Sequence, residues 1–206
     1  MYARSTTVQA RPESLDEGIR FVRDEVMPSI QDMKGCIGLS MLVDRSSGRC
    51  IVTTAWQSMD DMHATSETVR PLRDRAAEIL GGTAQVDEWE IGLLHRDHQT
   101  RDGSCARAVW MKVAPDHVNE ALEIFRRAAL PSMQELEGFA SASLMIDRQS
   151  GKCVLSVTYD SREAMERMRD RATNLRGTTA QEAGAEILDV AEFELALAHL
   201  RVPELV

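Results

Sequence analysis

The sequence predicts an α+β protein in which one βαββαβ unit is written twice. Three observations carry that expectation. The 206-residue chain matches itself at an offset of 103 positions, with 17 of 60 positions identical between Ala3 and Met62. Average composition would give roughly one match per sixteen positions. In both copies, stretches of period-two alternation and of three- and four-residue apolar spacing follow one another in the same order. The breakers recur as well: Pro12 with Pro115, Pro28-Ser29 with Pro131-Ser132, and Gly35 with Gly138. A repeat of this length exceeds the roughly 20 to 50 residues of solenoid units, so it reads as a tandem domain duplication.

Each element follows from local chemistry. Residues 2–10 and 105–113 alternate as strands. Pro12 and Pro115 open a helix, and Ser14-Leu15-Asp16-Glu17 fits a capping box in which hydroxyl and carboxylate serve first-turn amides. Leu15, Ile19, Val22, Val26, Ile30 and Met33 form one apolar stripe, as do Val118, Leu122, Phe125, Ala129, Met133 and Leu136. Pro28 and Pro131 fall inside these stripes, where a kink is expected. Gly35 and Gly138 end the helices.

Residues 36–43 and 49–56 read as the next two strands, joined through VDRSSGRC, which returns as IDRQSGKC at 146–153. Its Asp and Gly suit a hairpin turn, and Cys50 and Cys153 read as small buried residues of the following strand. Ser58 and Ser161 cap a second helix. The last strands are 86–94 and 190–198. Right-handed crossovers make this order a ferredoxin-like split βαβ, with a four-stranded antiparallel sheet and both helices on one face. Ile91 and Leu93 mark one side of the last strand, and Val86 and Leu94 the other, so both sheet faces call for cover. The polar stretch RDHQTRDGS, 96–104, is the linker between a first repeat at 1–95 and a second at 105–206.

Bulk properties narrow the function. A net charge of −9 opposes a phosphate-tracking surface, so nucleic acid is not an expected partner. No apolar run is long enough to span a membrane. The N-terminus lacks the order of a secretory signal, and four cysteines without a CxxC pair read as reduced thiols of a cytoplasmic protein. No spacing suggests a metal site, a phosphate loop or a Ser/His/Asp triad.

The openings YARSTTVQARPES and CARAVWMKVAPDH, with the junctions TTAWQSMDDM and SVTYDSREAM, resemble the antibiotic biosynthesis monooxygenase (ABM) family of dimeric α+β barrels, once per repeat. That resemblance implies two ferredoxin-like sheets packed as one barrel, here within a single chain as a pseudo-dimer that could oligomerise further. It also implies a cofactor-independent monooxygenase acting on a small apolar or aromatic molecule. A non-catalytic ligand-binding or assembly module on the same barrel is the alternative. Haem is not expected. The haem-degrading branch carries Asn on its first strand and Trp and His along the second helix. Here the first strands hold Thr6, Thr7, Val109 and Trp110, and His63 stands only near the helix start.

No catalytic residue is assigned by sequence. The candidates are His63, Trp110, His117 and Tyr159, with Arg4, Trp56 and Arg107 for a ligand pocket. Each has a structural reading beside the functional one. His63 and His117 suit the surface, Trp56, Trp110 and Tyr159 suit packing, and Arg4 and Arg107 suit ion pairs with Glu88, Glu90, Glu192 or Glu194 as well as an anionic substrate. His95 and His199, equivalent at the ends of the last strands, read as strand ends.

Overall fold

The computed structural model describes residues 1–201 and 203–205, Leu200 by its backbone alone. Its strands are β1 (Tyr2–Gln9), β2 (Cys36–Val43), β3 (Arg49–Trp56), β4 (Ala84–Arg96), β5 (Cys105–Lys112), β6 (Phe139–Asp147), β7 (Lys152–Tyr159) and β8 (Glu186–Leu200). They form a closed barrel in the order β1-β3-β2-β8-β5-β7-β6-β4. Two runs of that order, β4-β1-β3-β2 and β8-β5-β7-β6, are the expected split-βαβ sheets. β1 pairs with β3 from Tyr2↔Trp56 to Gln9↔Arg49, and β5 with β7 from Cys105↔Tyr159 to Lys112↔Lys152.

The compact units are not the sequence repeats. Met1–Trp89 and residues 193–201 belong to one; Glu90–Glu192 and residues 203–205 belong to the other. β4 and β8 are long enough to serve both. The far half of β4 pairs with β6, Glu90↔Ile146 to Arg96↔Ser141. The far half of β8 pairs with β2, as in Leu39↔His199 and Val43↔Glu194. Cover is needed on both faces at Leu93 and Leu94, which are buried, whereas Val86 is exposed.

The first helix of each repeat is a composite. In the first it runs α1 (Leu15–Phe21), a π-turn at Val22–Val26 and α2 (Met27–Gln31). In the second it runs α5 (Val118–Ile124), a π-turn at Phe125–Ala129 and α6 (Leu130–Gln134). Each proline sits in the first turn of the last segment, immediately after the wide turn. The π-turn widens the helix just ahead of a residue that cannot donate to the ladder. The serine after each proline bonds back four residues, Ser29 Oγ to Glu25 O at 2.6 Å and Ser132 Oγ to Ala128 O at 3.0 Å. The capping box is not formed. The chain enters α1 through a 3-10 turn, Pro12–Ser14, which puts Ser14 at φ −94°, ψ −6° with no side-chain cap bond. An N-cap hydroxyl reaches the N3 amide from extended backbone.

The second helix of each repeat is split into α3 (Met59–Ala64) and α4 (Ser66–Leu80), and into α7 (Arg162–Arg167) and α8 (Arg169–Glu182). Ser58 and Ser161 cap as expected, accepting from Asp61 N and Ala164 N. Near each break a carbonyl receives a guanidinium. Arg4 Nη2 donates to Met62 O at 3.1 Å, and Arg107 Nη2 donates to Met165 O at 3.3 Å. The strand arginine thus supplies a donor to helix backbone where the segments meet.

The repeated VDRSSGRC segment is a hairpin. Asp44 Oδ1 accepts from the amides of Ser46 and Ser47, and Asp147 Oδ1 from those of Gln149 and Ser150. Burial pushes Asp44 up, but the Ser46 and Ser47 hydroxyls and amides outweigh it and bring it down to about 2. Gly48 and Gly151 take φ +77° and +74°, and a Cβ on either would lie 2.3 or 2.0 Å from a backbone oxygen of Ala10 or Val113. The motif's arginines reach the last strand of the opposite repeat: Arg45 bonds Glu194 at 2.7 Å, and Arg148 bonds both oxygens of Glu90. Cys50 and Cys153 are buried, and burial pushes each thiol up to about 11. They are packing residues.

Candidate functional site

Each repeat holds an apolar cavity, open at its mouth, between its first and third strands and its helices. Alternation fixes the walls, because residues two apart share a face. Arg4, Thr6 and Val8 of β1 and Cys50, Val52 and Thr54 of β3 face the first cavity. Val22 and Val26 of the π-turn and Val69, Arg73, Ala76 and Leu80 of α4 face it from the helix side. The second cavity has Arg107, Val109 and Met111 of β5 and Leu155, Val157 and Tyr159 of β7, covered by Phe125, Met133, Leu136 and residues of α8 that include Arg176. Their empty volumes, open solvent at the mouth included, are about 580 and 460 Å³.

The polar end of each cavity is built around the strand arginine. Arg4 Nε and Nη2 both donate to Glu88 Oε1, at 3.0 and 2.8 Å, and Nη2 also reaches Ser66 Oγ at 2.7 Å. The other oxygen of Glu88 lies 2.8 Å from His63 Nε2. Burial pushes the Glu88 carboxyl up, yet the hydrogen bonds from His63 and Arg4 hold it below its usual range. In the second repeat Arg107 Nε and Nη2 donate to Glu192 Oε1 at 3.2 and 2.8 Å, and Arg169 reaches Glu192 Oε2 at 3.3 Å. Arg107 Cζ lies 5.8 Å from the centroid of the Tyr159 ring. Burial pushes the Tyr159 hydroxyl up, and Arg107 pulls against it.

These contacts sort the sequence candidates. Arg4, Arg107 and Tyr159 line cavities, and His63 touches the first one through Glu88 and Arg4. Trp56 is fully buried but stands outside the lining, its Nε1 donating to Thr54 Oγ1 at 3.0 Å. Trp110 is on the other face of β5, between the cavity-facing Val109 and Met111. His117 is exposed at the 3-10 turn before α5. No histidine lines either apolar cavity; His199 lies with Met27 and Ile37 in a separate pocket. Among the described residues no three His, Cys, Asp or Glu side chains gather as a metal site, and no helix is long and apolar enough to cross a membrane.

Sequence reasoning missed Arg73 and Arg176. They occupy equivalent positions, one in each cavity. Carrying the self-comparison past Met62 would have found them, since Leu72-Arg73 matches Leu175-Arg176 at the same offset.

Comparison with known proteins shows the family. Residues 1–70 and 106–185 match the family model described as antibiotic biosynthesis monooxygenase. The uncharacterized protein Rv2557 of Mycobacterium tuberculosis (strain H37Rv) is 57% identical over 206 residues, covering 100% of this chain and 92% of its own length. Its neighbour in name, Rv2558, is 56% identical over 207 residues, covering 100% and 88%. Among solved structures, a proposed monooxygenase from Lactobacillus acidophilus NCFM superposes with TM-score 0.72 at 10% identity, covering 97% of this chain and 96% of its own. An anthrone oxidase-like protein superposes with TM-score 0.70 at 13% identity, covering 100% and 94%. With both repeats matched by one family model, the chain belongs to the antibiotic biosynthesis monooxygenase family.

Proposed function

We propose that this protein is a small-molecule monooxygenase that works without a cofactor on an apolar or aromatic substrate held between sheet and helices. The observation that carries the reading is the second cavity. Its walls are aliphatic and aromatic, and Tyr159 and Arg107 meet at its polar end. A cofactor-free oxygenation is balanced when an activated CH₂ group becomes a carbonyl. One atom of dioxygen enters the product, and the other leaves as water with the two hydrogens. The substrate supplies all the electrons, so the protein's part is to bind it, exclude water and stabilise the carbanion that meets dioxygen. A fixed guanidinium beside an apolar wall suits the last task. The four free cysteines accord with a reducing, cytoplasmic setting.

The non-catalytic alternative fits the first repeat better than the second. The first cavity has two threonines but no Tyr, His, Asp or Glu among its lining residues. Its histidine and carboxylate, His63 and Glu88, stand behind Arg4.

Anthrone is a suitable probe, since its oxidation to anthraquinone is this CH₂-to-carbonyl change and one structural neighbour is described as anthrone oxidase-like. Oxygen uptake matching anthraquinone formation, faster than in buffer and unaffected by a chelator, is the expected result. Tyr159→Phe should slow it and His117→Ala should not. A rate equal to that of buffer would overturn the proposal.

A further inference from the structure

We infer that each cavity is a receptor for an apolar molecule ending in a carboxylate, which is held by the arginine pairs Arg4 with Arg73 and Arg107 with Arg176. The inference rests on reading the cavities as ligand sites and names what their ligands share. Arg4 and Arg107 are each only 4% exposed. Their Nε and Nη2 atoms are used by Glu88 and Glu192, but Nη1 of both is buried with no hydrogen-bond partner. A guanidinium carries five donors in a fixed fork, so the edge that grips the glutamate leaves Nη1 directed elsewhere. The same atom is left over twice, in side chains that both line a cavity. The feature belongs to the fold that both repeats share, and a buried polar group without a partner calls for an explanation.

The second arginine makes the excess ionic. Among the described residues the ion pair of Arg73 is with Asp74 at 3.7 Å, a carboxylate that is 63% exposed. Arg176 forms no ion pair among the described residues, and its hydrogen bond is to Thr173 Oγ1 at 3.3 Å. At the second site Arg169 also bonds Glu192, so Arg107 shares its carboxylate with a second cation. Burial pushes Arg176 down, with the charge of Arg107 adding to the effect. A buried guanidinium nitrogen without a partner, with a second cation lining the same apolar space, is costly to leave so. A carboxylate can take Nη1 of one arginine and the fork of the other, leaving its hydrocarbon on the valine, leucine or phenylalanine walls. The net charge of −9 makes a cation pair kept in both repeats more telling.

The test compares ligands that differ in charge and little else. Calorimetric titration of the whole chain with octanoate and with 1-octanol at about pH 7.5, where the carboxylate is ionised, separates the two contributions. Octanoate should fill two sites per chain and bind each at least about tenfold more tightly than octanol. Arg176→Gln, which leaves the Arg107–Glu192 pair intact, should remove that preference at one site, and Arg73→Gln at the other. The double variant should bind acid and alcohol alike. Equal binding of the two ligands by the unaltered protein, or a preference that survives the double substitution, overturns the inference and leaves the cavities standing as apolar sites. If neither ligand binds at millimolar concentration, the inference falls together with the ligand-site reading.

Discussion

The two cavities hold their cations constant and change their walls. Arg4 and Arg73 are matched by Arg107 and Arg176, but Thr6 and Thr54 face the first cavity where Val109 and Val157 face the second. Val8, Val22 and Val52 give way to Met111, Phe125 and Leu155, and the empty volume falls from about 580 to about 460 Å³. Thr-to-Val exchange keeps shape and removes a hydroxyl, whereas Val-to-Phe exchange fills space. A duplicated fold has thus kept one charge arrangement while making one pocket roomier and more polar, the other tighter and more apolar. Groups behind the arginines differ as well: His63 and Ser66 in the first repeat stand where the second has Glu166 and Arg169.

The largest expected effect that sharpens this contrast is on the walls. Phe125→Ala removes a buried ring and should cost about 3 to 5 kcal/mol in denaturant unfolding, whereas Val22→Ala, a smaller deletion beside a larger space, should cost about 1 to 2 kcal/mol. Equal losses would mean that the walls are not packed as differently as their residues suggest. Next come the arginines. Arg107→Ala leaves Glu192, 23% exposed and held by Arg169 at 3.3 Å, and Arg4→Ala leaves Glu88, 41% exposed and bonded to His63 at 2.8 Å. The first should cost about 3 kcal/mol and the second about 2 kcal/mol, after allowing for solvent around both carboxylates.

A smaller effect separates the hydroxyl from the methyl. Thr54 Oγ1 accepts from Trp56 Nε1 and donates to Arg4 O. Thr54→Val should therefore cost about 1 to 2 kcal/mol by stranding a buried indole N–H, with a change in tryptophan emission. Val157→Thr in the second repeat, where Tyr159 replaces the indole, has no such donor to gain. The smallest effect is on pH dependence. Glu88 titrates lower in the folded chain than in the unfolded one, so its stabilisation is complete above the unfolded value and is lost as pH falls through the folded one. Thermal unfolding between about pH 3 and 6 should show a shallower acid limb in Glu88→Gln. A limb as steep as that of the unaltered protein would remove Glu88 from the account.

Much of the architecture could be read because it was written twice. Strands, hairpins, serine caps and the order of elements show in each copy as local patterns of alternation and turn chemistry, and two weak signals at one offset make a strong one. The parts that escaped depend on groups far apart in sequence. The split in the second helix is accompanied by Arg4 and Arg107 reaching carbonyls 58 residues away, which no window along the helix contains. The capping box failed because the proline turn before Ser14 sets its backbone, so a correct motif lacked the extended geometry it requires. β4 and β8 look like single strands of their own repeats, and nothing in their alternation says that each divides between two units. At the site, Arg4 and Arg107 and their glutamates were in view as candidates. Arg73 and Arg176 were hidden as ordinary charges on a polar helix until the fold turned them toward the same space.

The central claim is that an equivalent arginine pair in each repeat receives the carboxylate of an apolar ligand. A crystal structure with 8-bromooctanoate tests it most directly, because anomalous bromine peaks locate the tails independently of the carboxylates. The account predicts two ligands per chain, each with its carboxylate against Nη1 of Arg4 or Arg107 and its bromine among the aliphatic walls. Bromine peaks at both arginine pairs, or ligands confined to the outer surface with both cavities closed, would contradict it.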